Sequence, residues 1–574
     1  MKKHYLVFSL FSLLTALLPA QQKNLPLNSE WFMSSDSYLN KDTLRPYQYF
    51  TAVKPLLESR ELDEQRYIYL NSKSWGSAPF CETGLDSSNG KSSLQDPGAL
   101  LFLQKKHYTN WKDKLEGKVF HDHLIVLADS ADEFLVTIDP LMNFQFGEDK
   151  DHVYSHPLSV NTRGVMIRGD IGPKFSFESS FYENQSYQPQ YIDSFARATQ
   201  VIPGQGRWKD FKIHGFDYSM SSAYISYSPN KHFNFQAGTG KNFIGDGYRS
   251  LLLSDNAFNY PYLKITTTFG RFQYTNLYAS FMNLTFSKAT IPLGTEHLYE
   301  KKSASFQFLS INVHPRVQLG LFQGLIAQAA DSTNRQHLDF YYFQPLMGVS
   351  ALKYGLNDPN HILLGSTVKI KVCRYLNLYA QYMLDGIAQS GPNGSLYNRQ
   401  GFQAGAKLFD FCKIPNLYIQ AEYNQVRPYS YTSSEASQSY THYGQPLADP
   451  LGANFRESIL IIHYRFRNMF IQLKYNHDII GADSTNRNYG NNLFNPDYTA
   501  YIGNSLNTPT MLQGVKTTVD IYDLKLGYLV NPAYNLNLVC GVMLRDYKNN
   551  SGNDKTEYIY IGLQTSLSNI YYDF

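Results

Sequence analysis

The sequence predicts an all-β fold: a transmembrane β-barrel of about 18 antiparallel strands, preceded by a small, partly helical N-terminal segment. Three observations predict it. Apolar and polar residues alternate along many short stretches, tight turns alternate with long polar loops, and aromatic residues are abundant. The chain contains 46 Tyr and 37 Phe against only 4 Trp, although its mean hydropathy is −0.36. So many aromatic residues argue against disorder, whereas a barrel carries aromatic girdles and hides its apolar residues at alternate positions.

Alternation with a period of two residues begins near residue 132. Its clearest example is residues 416–424, where the apolar face is Leu417, Ile419, Ala421 and Tyr423 and the polar face is Tyr418, Gln420, Glu422 and Asn424. Residues 456–466, 468–476 and 535–542 alternate in the same way. One face suits lipid and the other suits a water-filled lumen.

The lengths of the connections alternate as well. Tight turns are predicted at Asp170–Pro173, Pro229–Lys231, Gly270, Val313–Pro315, Cys373–Tyr375, Cys412–Pro415, Arg467–Asn468 and Asn531–Ala533. Long loops are predicted near 185–219, 241–261, 284–302, 327–361, 387–399, 427–455 and 479–516. Eight hairpins make sixteen strands, and an opening strand near 133–146 and a closing strand near 556–574 raise the number to about 18. We assign residues 340–346 to a loop rather than a further strand.

The last residues of the chain alternate towards an aromatic end at Ile570, Tyr572 and Phe574. This pattern is typical of strands that the outer-membrane barrel-assembly machinery recognises. It predicts partnership with that machinery and with outer-membrane lipid. The tight turns then face the periplasm, and the long loops face the outside of the cell.

The start of the chain predicts export. Residues 1–20 resemble a signal peptide, because Lys2 and Lys3 precede an apolar run that ends in Leu18-Pro19-Ala20. Residues 21–130 differ from the rest: 44–70 has helix-like spacing around Pro55, and 85–98 is rich in Ser and Gly. We predict a segment that lies outside the barrel wall or plugs it, followed by the barrel at 131–574, in the outer membrane.

Several classes of site are not supported. The formal net charge of +3 gives no nucleic-acid footprint. The pair His121 and His123 around Asp122 lacks a third ligand, so we predict no metal site and no cofactor. The four cysteines form no CxxC pair; they are Cys81, Cys373, Cys412 and Cys540. Disulfides could form in an exported chain, but their pairing stays open, and Cys540 is expected to pack on the apolar face of a strand.

The most unusual stretch is 237–263, AGTGKNFIGDGYRSLLLSDNAFNYPYL, which lies between two strand-like runs. It contains four glycines to which we assign structural roles: Gly238, Gly240, Gly245 and Gly247. Gly240-Lys241 is followed by Asn242 rather than Ser or Thr, and no helical pattern follows, so a phosphate-binding loop is disfavoured. We expect a loop that packs against the protein.

This stretch resembles the Wzi-type capsule-assembly proteins and, more closely, their RemB-like gliding-motility relatives of Bacteroidetes. The resemblance covers about thirty residues. The Wzi pattern has Trp near Phe243, where this chain keeps an aromatic ring. It implies a non-enzymatic outer-membrane barrel that binds surface polysaccharide. The candidate ligand-binding residues are Phe243, Arg249, Ser254, Asp255 and Asn256. Arg249 and Asp255 could instead pair with each other or with the lumen wall.

Catalysis finds little support, because neither a GxSxG element nor an HExxH element is present. The first hypothesis is therefore a barrel that binds glycan through its long loops, where tyrosines are frequent: Tyr187, Tyr191, Tyr429, Tyr431, Tyr440 and Tyr443. The second is an accessory scaffold of a gliding or type 9 secretion complex, with partner proteins from that machinery. The third is a diffusive porin.

Overall fold

The computed structural model describes residues 23–39, 51–57, 110–129, 134–154, 156–286, 299–327, 340–349, 360–385, 399–500, 509–565 and 567–574. Its elements in chain order are α1 Ser29–Leu39, β1 Val53–Lys54, α2 Trp111–Phe120, β2 Ile125–Asp129, β3 Phe134–Asp149, β4 Leu158–Ile171, β5 Phe175–Tyr187, α3 Gln190–Thr199, β6 Lys209–Phe211, β7 Gly215–Asn230, β8 Phe233–Gly240, β9 Phe243–Ile244, β10 Tyr260–Phe269, β11 Phe272–Phe286, β12 Tyr299–His314, β13 Val317–Ile326, β14 His361–Cys373, β15 Leu376–Leu384, β16 Gln400–Phe409, β17 Leu417–Val426, β18 Thr441–His442, β19 Gln445–Pro446, β20 Phe455–Phe466, β21 Met469–Ala482, β22 Val515–Asn531, β23 Leu536–Asn549 and β24 Gly552–Gln564.

Eighteen of these strands form one closed antiparallel barrel, which confirms the predicted fold. The exceptions are the short strands β1, β2, β6, β9, β18 and β19. Each barrel strand pairs with the barrel strands before and after it in the chain, and β24 closes the ring on β3 from Tyr558↔Asp149 to Gln564↔Asn143. Strand β2 pairs with the remaining part of the same β3 edge, from Ile125↔Ile138 to Asp129↔Phe134.

The two faces of the wall follow the predicted alternation. In β21, Met469 is 61% exposed and Leu473 is 40% exposed on the outer face, whereas Gln472 is 7% and Asn476 is 0% exposed on the inner face. The same inversion recurs around the barrel, with apolar side chains outside and buried polar side chains inside. This arrangement fits a wall that faces lipid on the outside.

All eight predicted tight turns are present, and we call the end of the barrel where they lie the tight-turn end. Where they are described, the seven predicted long loops join strands at the opposite end, the long-loop end, and the loop at 241–261 turns from there into the lumen. One connection departs from this rhythm, because β23 and β24 are joined at the long-loop end by a short turn between Asn549 and Gly552. Residues Phe340–Phe343 form a 3-10 helix within a loop, as the loop assignment of 340–346 requires.

The prediction that the closing strand runs from 556 to 574 is wrong at its end. Strand β24 stops at Gln564, and residues 567–574 carry no secondary structure and lie inside the lumen. Two facts explain this. Strand β23 begins at Leu536, so β24 has no partner on that side beyond Gln564, and β2 occupies the remaining edge of β3. Ile570, Tyr572 and Phe574 therefore do not alternate along a strand, and their role in assembly stays a prediction.

The N-terminal region differs in part from expectation. Helix-like spacing was expected across 44–70, but residues 51–57 contain the extended strand β1; residues 40–50 and 58–109, with Cys81, lie outside the described residues. So does the predicted signal peptide. Helix α2 lies at the tight-turn end, where Asn531 Nδ2 donates a hydrogen bond of 3.0 Å to the Lys118 carbonyl. None of the described helices is long and apolar enough to cross a membrane.

Two smaller sequence features also have a place in the fold. His123 Nδ1 lies 2.7 Å from Asp139 Oδ2, so this histidine joins the α2 end to strand β3. Among the described cysteines, Cys373, Cys412 and Cys540 are free and exposed. Cys540 thus lies on the outward apolar face of β23, as expected, but it faces the barrel exterior instead of packing against protein.

Candidate functional site in the barrel lumen

The glycine-rich stretch is the centre of the molecule. Between β8 and β10 the chain turns into the lumen, and from Lys241 to Asn259 every residue except Tyr248 and Phe258 is buried. We call residues 241–259 the inner loop. It crosses the barrel from β15, where Leu251 N–H donates to Gln381 Oε1 at 3.0 Å, to β20, where Arg249 meets Glu457. The inner loop therefore packs against the protein, as the sequence predicted.

Arg249 is the most constrained side chain of the inner loop, with no exposed surface. Its Nε donates to Glu457 Oε1 at 3.0 Å, and its Nη2 donates to the Asp573 carbonyl at 2.7 Å. Its Nη1 lies 3.3 Å from Asp573 Oδ1. The guanidinium also lies over the rings of Tyr248 and Tyr571, 5.0 and 4.9 Å from their centroids. A buried cation needs opposite charges of this kind close to it.

The backbone of the inner loop is held as firmly as the arginine side chain. Glu422 of β17 accepts hydrogen bonds from the Tyr248 and Arg249 N–H groups, at 2.7 and 3.0 Å. A Cβ at Gly247 would lie 2.4 Å from Glu422 Oε2, so only glycine fits beneath these bonds. Gly238 and Gly245 are equally crowded, at 2.2 and 2.6 Å from their nearest atoms, whereas Gly240 has ordinary contact distances.

Residues 567–574, the inner tail, complete the cluster from the other side. Tyr248 Oη donates to Asp573 Oδ2 at 2.8 Å, and the Lys474 ammonium lies 3.0 Å from the same oxygen. Burial alone would raise the pKa of the Asp573 carboxyl, but Arg249 and Lys474 outweigh it and lower that pKa to about 2. Asp573 therefore stays ionised at neutral pH.

A second buried carboxylate nearby is less well satisfied. Asp449 Oδ1 accepts the Leu451 N–H at 3.0 Å, whereas its Oδ2 has no hydrogen-bond partner. Burial raises the pKa of Asp449 to about 6. Asp449 lies close enough to Arg249 for the two charges to interact. Arg249 is therefore near three carboxyl groups, those of Asp449, Glu457 and Asp573.

The N-terminal segment enters the lumen from the tight-turn end and contacts the same loop. Strand β1 pairs with β9 of the inner loop through Val53↔Ile244. Helix α1 is tied to the wall by two ion pairs, Asp36 with Lys407 at 2.7 Å and Glu30 with Lys525. The described residues 23–39 and 51–57 thus occupy the part of the lumen nearest the tight-turn end.

The long loop 427–454 covers the inner loop from the long-loop end. Tyr431 and Tyr440 donate hydrogen bonds to the carbonyls of Leu251 and Leu252, at 2.7 and 2.5 Å. Tyr429, Tyr431, Tyr440 and Tyr191 are all buried. These four tyrosines were expected to offer ring faces to glycan, and that expectation is wrong because their rings pack inside the protein.

The candidate ligand-binding residues of the resemblance are brought together, but they all contact protein groups. The Lys54 ammonium lies 5.1 Å from the centroid of the Phe243 ring. Asp255 accepts from Tyr571 Oη at 2.7 Å and from Asn569 Nδ2 at 2.8 Å, and it does not pair with Arg249. Ser254 Oγ accepts the Asn256 N–H, and the Asn256 side chain donates to the Pro446 carbonyl. Binding of a ligand by these residues stays a prediction.

Partly exposed aromatic rings do gather at the long-loop end, where Phe258 leaves the inner loop. The Phe258 and Tyr443 rings lie 4.8 Å apart. The exposed Arg207 guanidinium lies 5.3 Å from the centroid of the Tyr299 ring and donates to its hydroxyl. Gly206 packs against Phe258: a Cβ at this position would lie 3.1 Å from the nearest carbon of the Phe258 ring. We call Arg207, Phe258, Tyr299 and Tyr443 the aromatic cluster.

The conformation of Tyr443 is unusual. It has φ 54° and precedes Gly444 with φ 71°, in the two-residue turn between β18 and β19. Both angles are those of a type I′ turn, in which Asn or Gly is preferred to a large side chain at the first position. The sequence identified Tyr443 as one loop tyrosine of six, and the tight turn that presents it could not be recognised before the pairing of β18 with β19 was known.

Searches for similar proteins agree with the fold. Wzi of Escherichia coli, an outer-membrane protein involved in group 1 capsule assembly and a carbohydrate-binding β-barrel, is similar with a TM-score of 0.50 and 13% identity, over 95% of this chain and 100% of that chain. OpdK of Pseudomonas aeruginosa with vanillate has a TM-score of 0.42 and 10% identity, over 75% and 98% of the two chains. OccAB2 of Acinetobacter baumannii has a TM-score of 0.40 and 12% identity, also over 75% of this chain and 98% of that chain.

The last two scores are below 0.5, and we draw nothing from them. A scan against family models and a sequence search among curated proteins give no match. At 13% identity the similarity to Wzi concerns the fold. It spans nearly all of both chains. The chain therefore has the fold of an outer-membrane β-barrel.

Proposed function

We propose that this protein is a non-enzymatic outer-membrane barrel that binds surface polysaccharide and takes part in capsule assembly. The aromatic cluster is the observation that carries the proposal. Sugars bind to aromatic faces that are flanked by hydrogen-bonding side chains, and the cluster offers rings beside the Arg207 guanidinium. An arginine there would also favour an acidic polysaccharide, because a guanidinium pairs well with carboxylates. The Wzi-like stretch supports the same conclusion, since Phe258 belongs to it.

The filled lumen supports binding over transport. The inner loop, the inner tail and helix α1 meet across the barrel, and Arg249 joins two of them in a cluster without exposed surface. These contacts occupy space through which a solute would have to pass. A diffusive porin is therefore disfavoured.

The test combines Phe258→Ala with Tyr443→Ala in the full-length protein. We expect affinity for polysaccharide from the native cells to fall about tenfold, equivalent to about 1.4 kcal/mol, and surface polysaccharide to be released from cells. Phe494→Ala is the matched control, because Phe494 is an exposed loop aromatic outside the cluster. Equal retention by the double variant and the control would contradict the proposal.

One observation favours a second function, an accessory scaffold of a gliding or type 9 secretion complex. Short turns of outer-membrane barrels face the periplasm, so helix α2 would lie there. Trp111 is 72% and Leu115 is 57% exposed on this helix. Large apolar side chains left open in a group often mark a protein interface.

A mild-detergent pull-down of the tagged protein from its own membrane separates the two functions. Stoichiometric proteins that are lost on Trp111→Ala with Leu115→Ala would favour the scaffold. Glycan that is lost on the Phe258 and Tyr443 changes would favour polysaccharide binding. Measurable ion conductance in a planar bilayer, without either partner, would restore the porin hypothesis.

A further inference from the structure

A polar cavity lies inside the barrel at its tight-turn end, far from the aromatic cluster. It is a partly open space between the segment 51–57 and the lumen faces of β7, β8, β10 and β11. The mouth lies beside the turn that carries Lys231 and His232. Lys264 lies among its lining residues, and no Asp or Glu does.

Lys264 is the unusual group of this cavity. It is only 2% exposed, and its Nζ donates to Asn242 Oδ1 at 3.2 Å. Within the described residues no carboxylate forms an ion pair with it. Its Nζ also lies over the Tyr262 ring, 5.8 Å from the centroid. An ammonium carries three donors, so these two partners leave the buried lysine with donors that are not paired.

The side chains around Lys264 are also short of partners. Asn234 of β8, Thr266 of β10 and Thr275 of β11 form one row across three neighbouring strands, because Asn234↔Thr266 and Thr266↔Thr275 are direct cross-strand pairs. The Thr275 hydroxyl is buried and has no hydrogen-bond partner. Asn242, on the inner loop, accepts from the ammonium through its Oδ1 but does not line the cavity.

We propose that this cavity binds a small oxyanion, a phosphate or carboxylate group, through Lys264 and the Thr275 hydroxyl, which both line it. These two groups supply hydrogen-bond donors and one positive charge, which an oxyanion requires. The exposed Lys231 at the mouth adds to the attraction. The cavity opens at the tight-turn end, which is predicted to face the periplasm. Its ligand would therefore enter from the periplasm.

This site does not depend on the proposed polysaccharide function. The aromatic cluster lies at the other end of the barrel, and none of its residues lines the cavity. Loss of glycan binding in the Phe258 and Tyr443 variant would leave anion binding intact. The two experiments can therefore fail separately.

The experiment is calorimetric titration of the purified full-length protein in detergent at low salt, with inorganic phosphate, glucuronate and glucose as probes. We expect saturable binding of phosphate or glucuronate, none of glucose, and weaker binding as salt is added. Preference for phosphate would indicate a phosphorylated ligand, and preference for glucuronate would indicate an acidic sugar.

Lys264→Gln should weaken binding of the preferred probe at least tenfold, and Thr275→Val should weaken it several-fold. Lys302→Gln is the matched control: Lys302 is also buried in the lumen, but its Nζ donates to the Ser439 carbonyl at 2.7 Å and to Thr441. Unchanged affinity in folded Lys264→Gln, or in Thr275→Val should the first variant not fold, would overturn the proposal. So would the absence of saturable binding of both anions to the unaltered protein.

Discussion

The barrel wall and the contents of its lumen are held together in different ways. In the wall, each strand bonds to strands adjacent in the chain, so β20 pairs with β21 through twelve consecutive residues. In the lumen, Arg249 joins Glu457 and Asp573, which are hundreds of positions away in sequence. The wall rests on backbone bonds that almost any side chain permits. The lumen rests on a few buried charges that must all be present.

This difference predicts where substitutions are tolerated. An outward-facing residue in the wall meets lipid, which accepts many apolar side chains. A lumen residue in the Arg249 cluster meets buried groups that have few alternative partners, and an unpaired buried charge is costly. Three changes, from the largest expected effect to the smallest, test this comparison.

Arg249→Leu should have the largest effect, because it leaves Glu457 as a buried carboxylate without its cation and leaves Asp573 with Lys474 alone. We expect a loss of about 3–5 kcal/mol in the free energy of unfolding, measured by urea denaturation in detergent with circular dichroism. Arg456→Leu is the control, since this neighbouring arginine is exposed and donates to Gln425 on the outer face. Similar small losses in both variants would remove the contrast between lumen and wall.

Asp449→Asn should act in the opposite direction and depend on pH. Because burial raises the pKa of Asp449 to about 6, the stability that this group contributes is present below pH about 4, where the unfolded chain is also protonated. It is lost as the pH rises to 6. The Asn variant should therefore be more stable by up to about 3 kcal/mol at pH 7.5 and equal at pH 3.5. A difference that does not change with pH would show that Asp449 does not titrate in this way.

Gly247→Ala should have the smallest of the three effects. A methyl group there would meet Glu422 Oε2 at 2.4 Å and displace the carboxylate that binds the loop backbone. We expect a loss of about 1–3 kcal/mol, measured as a lower urea midpoint. Gly240→Ala is matched to it, since the nearest atom there is at 3.5 Å. If both variants unfold at the same urea concentration, the inner loop is not held as tightly as described.

The wall was predictable because its signal is local. Tyr418, Gln420 and Glu422 alternate with apolar residues, and the structure puts all three on the buried inner face. The tight turns were equally visible, because each is short and contains turn-forming residues. None of these inferences required knowledge of a distant part of the chain.

The inner tail shows where local reasoning fails. Tyr572 and Phe574 alternate as strand residues do, yet a strand needs a free edge, and β2 already occupies the edge of β3 that could have received it. Their odd-numbered neighbours bind the inner loop: Tyr571 binds Asp255, and Asp573 binds Arg249. Only the pairing of all strands reveals that no edge is left.

The sequence predicted where the candidate site lies, but it did not predict which of its side chains are exposed to water. The glycine-rich stretch pointed to the inner loop, but whether a loop tyrosine faces water or protein depends on contacts over 180 or more residues. Tyr431 meets the Leu251 carbonyl and Tyr440 meets the Leu252 carbonyl. Periodicity carries no information about such pairs. The aromatic cluster was missed as a group for the same reason, although Phe258 and Tyr443 were both within stretches that the sequence singled out.

The position of Asp573 also sets an order of events during biogenesis. This residue follows β24, so Arg249 can acquire both of its carboxylates only after every strand of the ring exists. Until then the arginine lacks one of its two carboxylates, and the inner loop lacks its contacts with the inner tail. The inner loop would gain these contacts in a single late step. Pulse-labelled chains should therefore become protease-resistant at the inner loop at the same time as the ring closes, and not strand by strand.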